Sequence, residues 1–141
     1  MFRGLDIAAS GMAAQRARLN VVSSNIANAS TTRTEDGGPY QRQEIVFEAI
    51  ARKAGQSLEG GPAIEGEGVR VVGIQEDPSP GPLVYDPGHP DADAQGYVHL
   101  PNVNVVEEMV DMITASRAYE AGVTAMRTAS SMADRALGIG R

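Results

Sequence analysis

Apolar residues recur at helical spacing at both ends of the chain and lose that spacing between them. From Val103 to Leu137 there is no proline, and Val105, Met109, Met112, Ser116, Tyr119, Val123, Met126, Ser130, Ala133 and Leu137 follow one another in steps of four and three. This is the roughly 3.5-residue repeat of a coiled-coil seam, and it predicts one long helix with a face made for another helix. A second row, Ala115, Ala118, Gly122, Ala125, Ala129, Met132 and Ala136, keeps the same rhythm one residue out of phase, turned by roughly 100° about the axis. Its small side chains let backbones come close. Charge falls on a third row, Arg117, Glu120, Thr124, Arg127, Ser131 and Asp134, the wetter side. A helix with two contact faces belongs in an array of helices. At about 1.5 Å per residue it is a rod of roughly 50 Å, too long for the short elements elsewhere in the chain to cover.

The opening segment repeats the pattern. Leu5, Met12, Leu19 and Ile26 stand at intervals of seven, beside a row of Gly4, Ile7, Gly11, Ala14 and Val21. Glycine inside a helix costs about 1 kcal/mol relative to alanine; either close helix packing or a terminus that orders only on assembly accounts for Gly4 and Gly11. The amide-rich run Ser23 to Thr32 should end this helix, because Asn, Ser and Thr compete for backbone hydrogen bonds.

All eight prolines and eleven of the sixteen glycines lie between Gly37 and Pro101, so no long helix fits there. Gln43–Phe47 and Val69–Ile74 predict short strands or hairpins, Pro82–Tyr85 and Tyr97–Leu100 weaker ones, and Ala54–Gly68 a mobile loop. Asn102 or Asn104 can cap the long helix, Glu107, Glu108 and Asp111 suit the positive end of its dipole, and Gly138 and Gly140 close it.

Composition bears on stability more than on chemistry. The 141 residues hold no tryptophan, two phenylalanines and twenty alanines, each alanine burying little beside the ~1.5–3 kcal/mol of a buried Leu, Val or Met. The lone monomer should be marginal, with association supplying the remainder. Residues 1–33 carry four arginines against one aspartate, residues 34–101 four basic and twelve acidic groups, and residues 102–141 four and five. An acidic middle argues against binding nucleic acid, which needs a basic stripe. No run reaches the ~18–20 apolar residues that cross a bilayer. The first segment, broken by Asp6, Gln15 and Arg16, lacks the apolar core of a cleaved secretory signal. With no cysteine there is neither a disulfide framework nor a thiolate nucleophile.

Asp86, His89, Asp91 and His99, with Asp93 beside them, are the residue types of a divalent-metal site, and a metal-dependent enzyme is the alternative they raise. Their spacing matches no zinc or EF-hand pattern, and Asp86-Pro87-Gly88 is first a turn sequence. Neither a phosphate loop nor a Gly-x-Ser-x-Gly elbow occurs. The chain therefore reads as a non-enzyme without cofactor or metal.

Two blocks carry a family resemblance. Leu5-Asp6-Ile7-Ala8-Ala9-Ser10-Gly11-Met12 through Ser24-Asn25-Ile26-Ala27-Asn28-Ala29-Ser30-Thr31 resembles the N-terminal signature of bacterial flagellar rod and hook proteins. Tyr85-Asp86-Pro87-Gly88-His89-Pro90-Asp91-Ala92-Asp93, then Gly96-Tyr97-Val98 and Pro101-Asn102-Val103-Asn104 through Arg117-Ala118-Tyr119-Glu120-Ala121, is similar to the short, proximal-rod members of the basal-body rod family. Gly122 departs from that pattern, where asparagine is expected.

The resemblance implies a mainly α fold, with long terminal helices paired as an antiparallel coiled coil about an irregular Pro/Gly-rich middle. Helical spacing at the ends, and the proline, glycine and acidic residues between them, divide the chain at 1–33, 34–101 and 102–141. The resemblance further implies a structural rod subunit around the export channel, transmitting torque across the periplasm and delivered by flagellar type III export without a cleaved signal. Its partners would be other copies, neighbouring rod proteins and the inner-membrane ring with its export apparatus. Leu5, Met12, Leu19, Ile26, Val105, Met109, Met112, Tyr119, Val123, Met126 and Leu137 would form the assembly interface. Gly4, Gly11, Ala115, Ala118, Gly122, Ala125 and Ala129 would form its close-packing face.

Overall fold

The computed structural model describes residues 2–51 and 66–140. Two helices dominate it, α1 (Phe2–Ala27) and α2 (Val105–Ile139). They lie side by side in opposite directions. Asn25 at the end of α1 bonds Glu108 at the start of α2, Arg18 meets Asp111, and Met12 lies against Gly122 further along. The covered face of α2 runs through Glu108, Met112, Ala115, Tyr119, Gly122, Met126, Ala129 and Ala133. It takes alternate members of the two rows that the sequence distinguishes. Val105 and Met109 from the first row, with Ala118 and Ala125 from the second, are exposed.

Each helix end has a local cause. Asn104 caps α2 by accepting the Val106 and Glu107 N–H groups at 3.1 and 3.5 Å, while Asn102 serves elsewhere. Gly140 is the C-cap, so Gly138 lies within the helix. α1 stops where Asn28 turns its amide back onto the Ser24 carbonyl at 2.9 Å and accepts the Thr31 hydroxyl at 3.2 Å, which is the competition with backbone bonding expected of these residues. A tight turn follows, with Gly37 at φ 89°, and Tyr40 N–H returns to the Thr31 carbonyl at 3.0 Å.

Strands β1 (Gln43–Ala51) and β2 (Gly66–Glu76) pair antiparallel, Ile45 opposite Ile74, with a register shift between Val46 and Phe47. They are longer than the apolar runs that predict them. A ladder, once begun, satisfies the backbone of flanking polar residues as well. Gly66–Gly68, assigned to a loop from the sequence, are strand; the rest of that predicted loop, residues 54–65, lies outside the described residues. Gly68 sits at φ +122°, and a Cβ there would lie 3.2 Å from the Ser10 Cβ on α1. Ser10 Oγ accepts Val69 N–H at 3.1 Å and donates to the Ile7 carbonyl at 2.8 Å, pinning the hairpin to the helix.

β3 (Leu83–Tyr85) and β4 (Tyr97–His99) form a second small antiparallel ladder, with Tyr85 and Tyr97 edge to face at 5.2 Å. Gly81 passes so close to the strand exit that a Cβ would overlap the Leu100 carbonyl oxygen and lie 2.8 Å from the Pro101 carbonyl carbon. Backbone cannot step aside as a flexible side chain can. Gly81→Ala should therefore destabilise the fold by about 2 kcal/mol or more, read as a lower urea midpoint; an unchanged midpoint would contradict this packing.

Among the described residues the buried apolar side chains are Ala14, Val21, Val22, Ala115 and, in the second ladder, Val98. The chain exposes 10311 Å², against about 7,000 Å² for a compact monomer of its mass. Among the described residues the exposed apolar side chains include Val106, Val110 and Ile113 of α2.

Candidate functional site

Where the helix ends meet the first strand, a polar junction is closed off from water. Asn25, 1 % exposed, uses its whole hydrogen-bonding capacity. Its Nδ2 donates to the Gln43 carbonyl at 2.9 Å and to Glu108 Oε2 at 3.0 Å. Its Oδ1 accepts Gln43 N–H at 2.9 Å and the Tyr40 hydroxyl at 3.0 Å. One side chain thus joins α1, β1 and α2.

Glu108 is 0 % exposed and accepts the Arg42 Nε–H on its second oxygen. Arg42 also pairs with Glu44 and reaches Asp111, 3.9 Å away, which in turn holds Arg18 at 3.0 Å. Burial works against the Arg42 charge, but its bonds to Glu108 and Glu44 outweigh that and hold its pKa above the ordinary value. Arg42 N–H donates to Asn102 Oδ1 at 2.7 Å, and the Asn102 amide donates to the Asp77 and Ser79 carbonyls at 3.0 and 2.9 Å. Every segment of the described fold except the second ladder is tied in at this junction. A network of this kind fixes register rather than adding much stability, because desolvating the charges offsets their attraction.

Sequence reasoning placed Ser24, Asn25, Ile26, Ala27 and Asn28 in a signature, and their roles separate here. Asn25 is the hub, Asn28 the helix stop, and Ser24 Oγ lies 3.4 Å from the Tyr40 hydroxyl. Ile26 is half-buried and Ala27 is the last helical residue, exposed. Glu108, read from sequence as a favourable helix start, is instead the buried partner of Arg42; Glu107 keeps the exposed first-turn role. Arg42, Tyr40 and Asn102 were missed as site residues. The available signal was a carboxylate at position 108, four residues ahead of Met112 and so on the same helix face as that seam residue.

The Asp86–Asp93 block is a chain of turns. Asp86 Oδ1 accepts Gly88 N–H at 3.2 Å, His89 Nδ1 accepts Asp91 N–H at 3.0 Å, and Asp93 Oδ1 accepts Gln95 and Tyr97 N–H at 2.8 and 2.9 Å. Pro87 and Pro90 are exposed. Asp91 takes the Thr32 hydroxyl at 2.7 Å and Arg33 Nε at 2.9 Å, tying the block to the chain just past α1. Among the described residues no three of the His, Asp and Glu side chains converge as a metal site would require. The carboxylates that raised the metal alternative are spent on backbone and on Arg33.

Of the predicted close-packing glycines, Gly122 is the one at which a Cβ would crowd a neighbour, 2.7 Å from Met12 Cγ, while Gly4 and Gly11 face open space; among the alanines of that face Ala115 is fully buried. Leu5, Met12, Leu19, Ile26, Met112, Tyr119, Val123 and Met126 are partly covered, whereas Leu137 is 74 % exposed.

Comparison with known proteins matches two family models, "Flagella basal body rod protein" over residues 5–33 and "Flagellar basal body rod FlgEFG protein C-terminal" over residues 94–139. The flagellar basal-body rod protein FlgC of Borreliella burgdorferi is 51 % identical, covering 99 % of this chain and 97 % of its own. The chain belongs to the FlgC family of rod proteins. FlgC of Bacillus subtilis is 43 % identical over 99 % of this chain and 98 % of the relative, and FlgC of Aquifex aeolicus 45 % over 96 % and 93 %. Both matched models fall on the helix-bearing ends, and the junction of Asn25 with Glu108 joins them. Membership of the FlgC family makes this a structural protein of the rod and not an enzyme, which removes the metal-enzyme alternative.

Acid should loosen the second ladder of this FlgC-family fold. The backbone N–H of Tyr97, opposed by slight desolvation and aided by that of Gln95, holds the Asp93 carboxyl below its ordinary pKa. A depressed carboxyl contributes fully above its unfolded value of about 3.9 and loses that contribution as pH falls through the folded value. Protection of the Gln95 and Tyr97 amides, each exchange rate taken relative to an unstructured chain at the same pH, should fall below about pH 4, and less so in Asp93→Asn, whose amide oxygen still accepts. An equal loss of protection in the variant would contradict this assignment.

Proposed function

We propose that the chain builds the rod as an antiparallel coiled coil, residues 1–33 and 102–141 supplying the helix pair and 34–101 an arm that meets neighbouring subunits. The observation that carries the reading is the uncovered apolar face of α2. One side of the helix is closed by α1, while Val106, Met109, Val110 and Ile113 on the opposite side are more than half exposed. A contiguous exposed apolar stripe marks an interaction site, and a chain with so small a core gains most by covering it.

In this reading the partners are further copies and neighbouring rod proteins, with the inner-membrane ring and export apparatus at the base. The helix pairs surround the export channel and carry torque across the periplasm, and subunits arrive by flagellar type III export without a cleaved signal. Among the described residues no helix is long and apolar enough to cross a membrane. The exposed members of the sequence-derived interface, Val105, Met109, Leu137, Ala118 and Ala125, remain for neighbours, and Leu5, Met12, Leu19, Ile26, Met112, Tyr119, Val123 and Met126 serve first to pair the two helices. Fractionation tests it: the chain should accompany purified basal bodies, and recovery only in the cytosol would overturn the reading.

A further inference from the structure

Methionine supplies all of this chain's sulfur, since there is no cysteine. The five methionines among the described residues fall into two groups. Met109 and Met132, on α2, are 51 and 65 % exposed. Met112 and Met126 stand in the covered row of α2, and Met12 reaches that row from α1; all three are only partly exposed. Met12 is the most closely held. A Cβ at Gly122 would lie 2.7 Å from its Cγ and 3.5 Å from its Sδ, so the thioether fills a notch that exists because Gly122 has no side chain. Around it the buried apolar side chains of the helix pair are small ones, Ala14, Val21, Val22 and Ala115.

We propose that Met12 is a sulfoxidation site at which a peroxide unlatches α1 from α2. The sulfur attacks one peroxide oxygen, the S–O bond forms as the O–O bond breaks, and the other oxygen leaves as water with both protons. Sulfur loses two electrons and the peroxide gains them. A flexible apolar side chain thereby becomes a polar one, and its new oxygen needs a donor or water. The α2 N–H groups beneath Met12 are spent on their own helix, and glycine offers no side-chain donor. Hydrating the oxygen therefore takes the side chain out of the notch, and the seam loses the knob that fills it. Because Met12 is not sealed off, a small oxidant reaches it while the helices are paired. Met109 and Met132 lie off the pairing face and take up oxygen without disturbing it.

The test treats the full chain with a small excess of hydrogen peroxide, mapping oxidised peptides by mass and following helical circular dichroism in the same samples. Met109 and Met132 should react first with the helix signal unchanged, and the later loss of most of that signal should track the fraction of Met12 sulfoxide. Methionine sulfoxide reductases should restore it. Met12→Leu keeps the apolar volume without the sulfur and should hold its helix signal at doses that unpair the unaltered chain, whereas Met112→Leu/Met126→Leu should stay as sensitive as the unaltered chain. Met12 fully oxidised with the helix signal intact would overturn the proposal. So would Met12 left unoxidised once Met109 and Met132 are fully converted, or equal loss of signal in Met12→Leu. The first two outcomes are read on the unaltered chain, so they decide the matter even if Met12→Leu fails to fold.

Discussion

Arg42→Ala should abolish most of the helical circular-dichroism signal at a concentration where the unaltered chain is folded. The substitution strips Glu108 of the one cation that pairs with it among the described residues while leaving the carboxylate buried against Asn25. Removing one partner of a buried ion pair costs about 3–5 kcal/mol, a large share of the few kcal/mol by which a small domain is stable. The double variant Arg42→Ala/Glu108→Gln separates charge from packing. Glutamine presents a neutral oxygen to the Asn25 amide, so the double variant should recover the greater part of the signal, its residual loss near the ~1 kcal/mol of an ordinary hydrogen bond. Equal losses in the two variants would show that Arg42 acts through its stem and not through its charge.

The second large effect lies in the seam. Met126→Asp places a carboxylate on the covered face of α2, in the row that continues through Gly122 to the contact with Met12. An unpaired charge in an apolar contact costs several kcal/mol. Cells relying on this variant should lack rods and fail to swim. Val110→Asp, on the outward side, should leave the monomer's helix signal intact and still prevent assembly. Normal swimming with Met126→Asp would sink the seam assignment.

Much of this fold was legible in the sequence because periodicity reports burial directly. The two helices and the centres of all four strands follow from spacing and from where proline and glycine lie. What the spacing could not give was phase. Rows running through Val105–Leu137 and through Ala115–Ala136 each read as a contact face, and α1 settles between them because Gly122 and Ala115 admit Met12 and its neighbours on one edge while Met112 and Met126 flank the other. An isolated helix cannot say which of two acceptable faces a partner will choose.

The junction was half legible. Asn25 stood out within an amide-rich run, yet its partners Arg42 and Glu108 lie seventeen and eighty-three residues away, and nothing local marks a long-range ion pair. Glu108 was misread because a carboxylate in the first turn of a helix has a sufficient local explanation. Aspartates 86, 91 and 93 went the other way: they suggested a ligand cluster and proved to be turn formers, each engaged by the nearest N–H or by Thr32 and Arg33.

In the function proposed, paired α1 and α2, locked at Asn25, form the wall of the rod and shelter one another's apolar faces. An electron-microscopy map of intact basal bodies at side-chain resolution tests it most directly. It should show the two helices antiparallel at the inner wall, Asn25 beside Glu108, and Val110 covered by a neighbouring subunit. Helices splayed apart, or an outward face of α2 left bare to solvent, would contradict it.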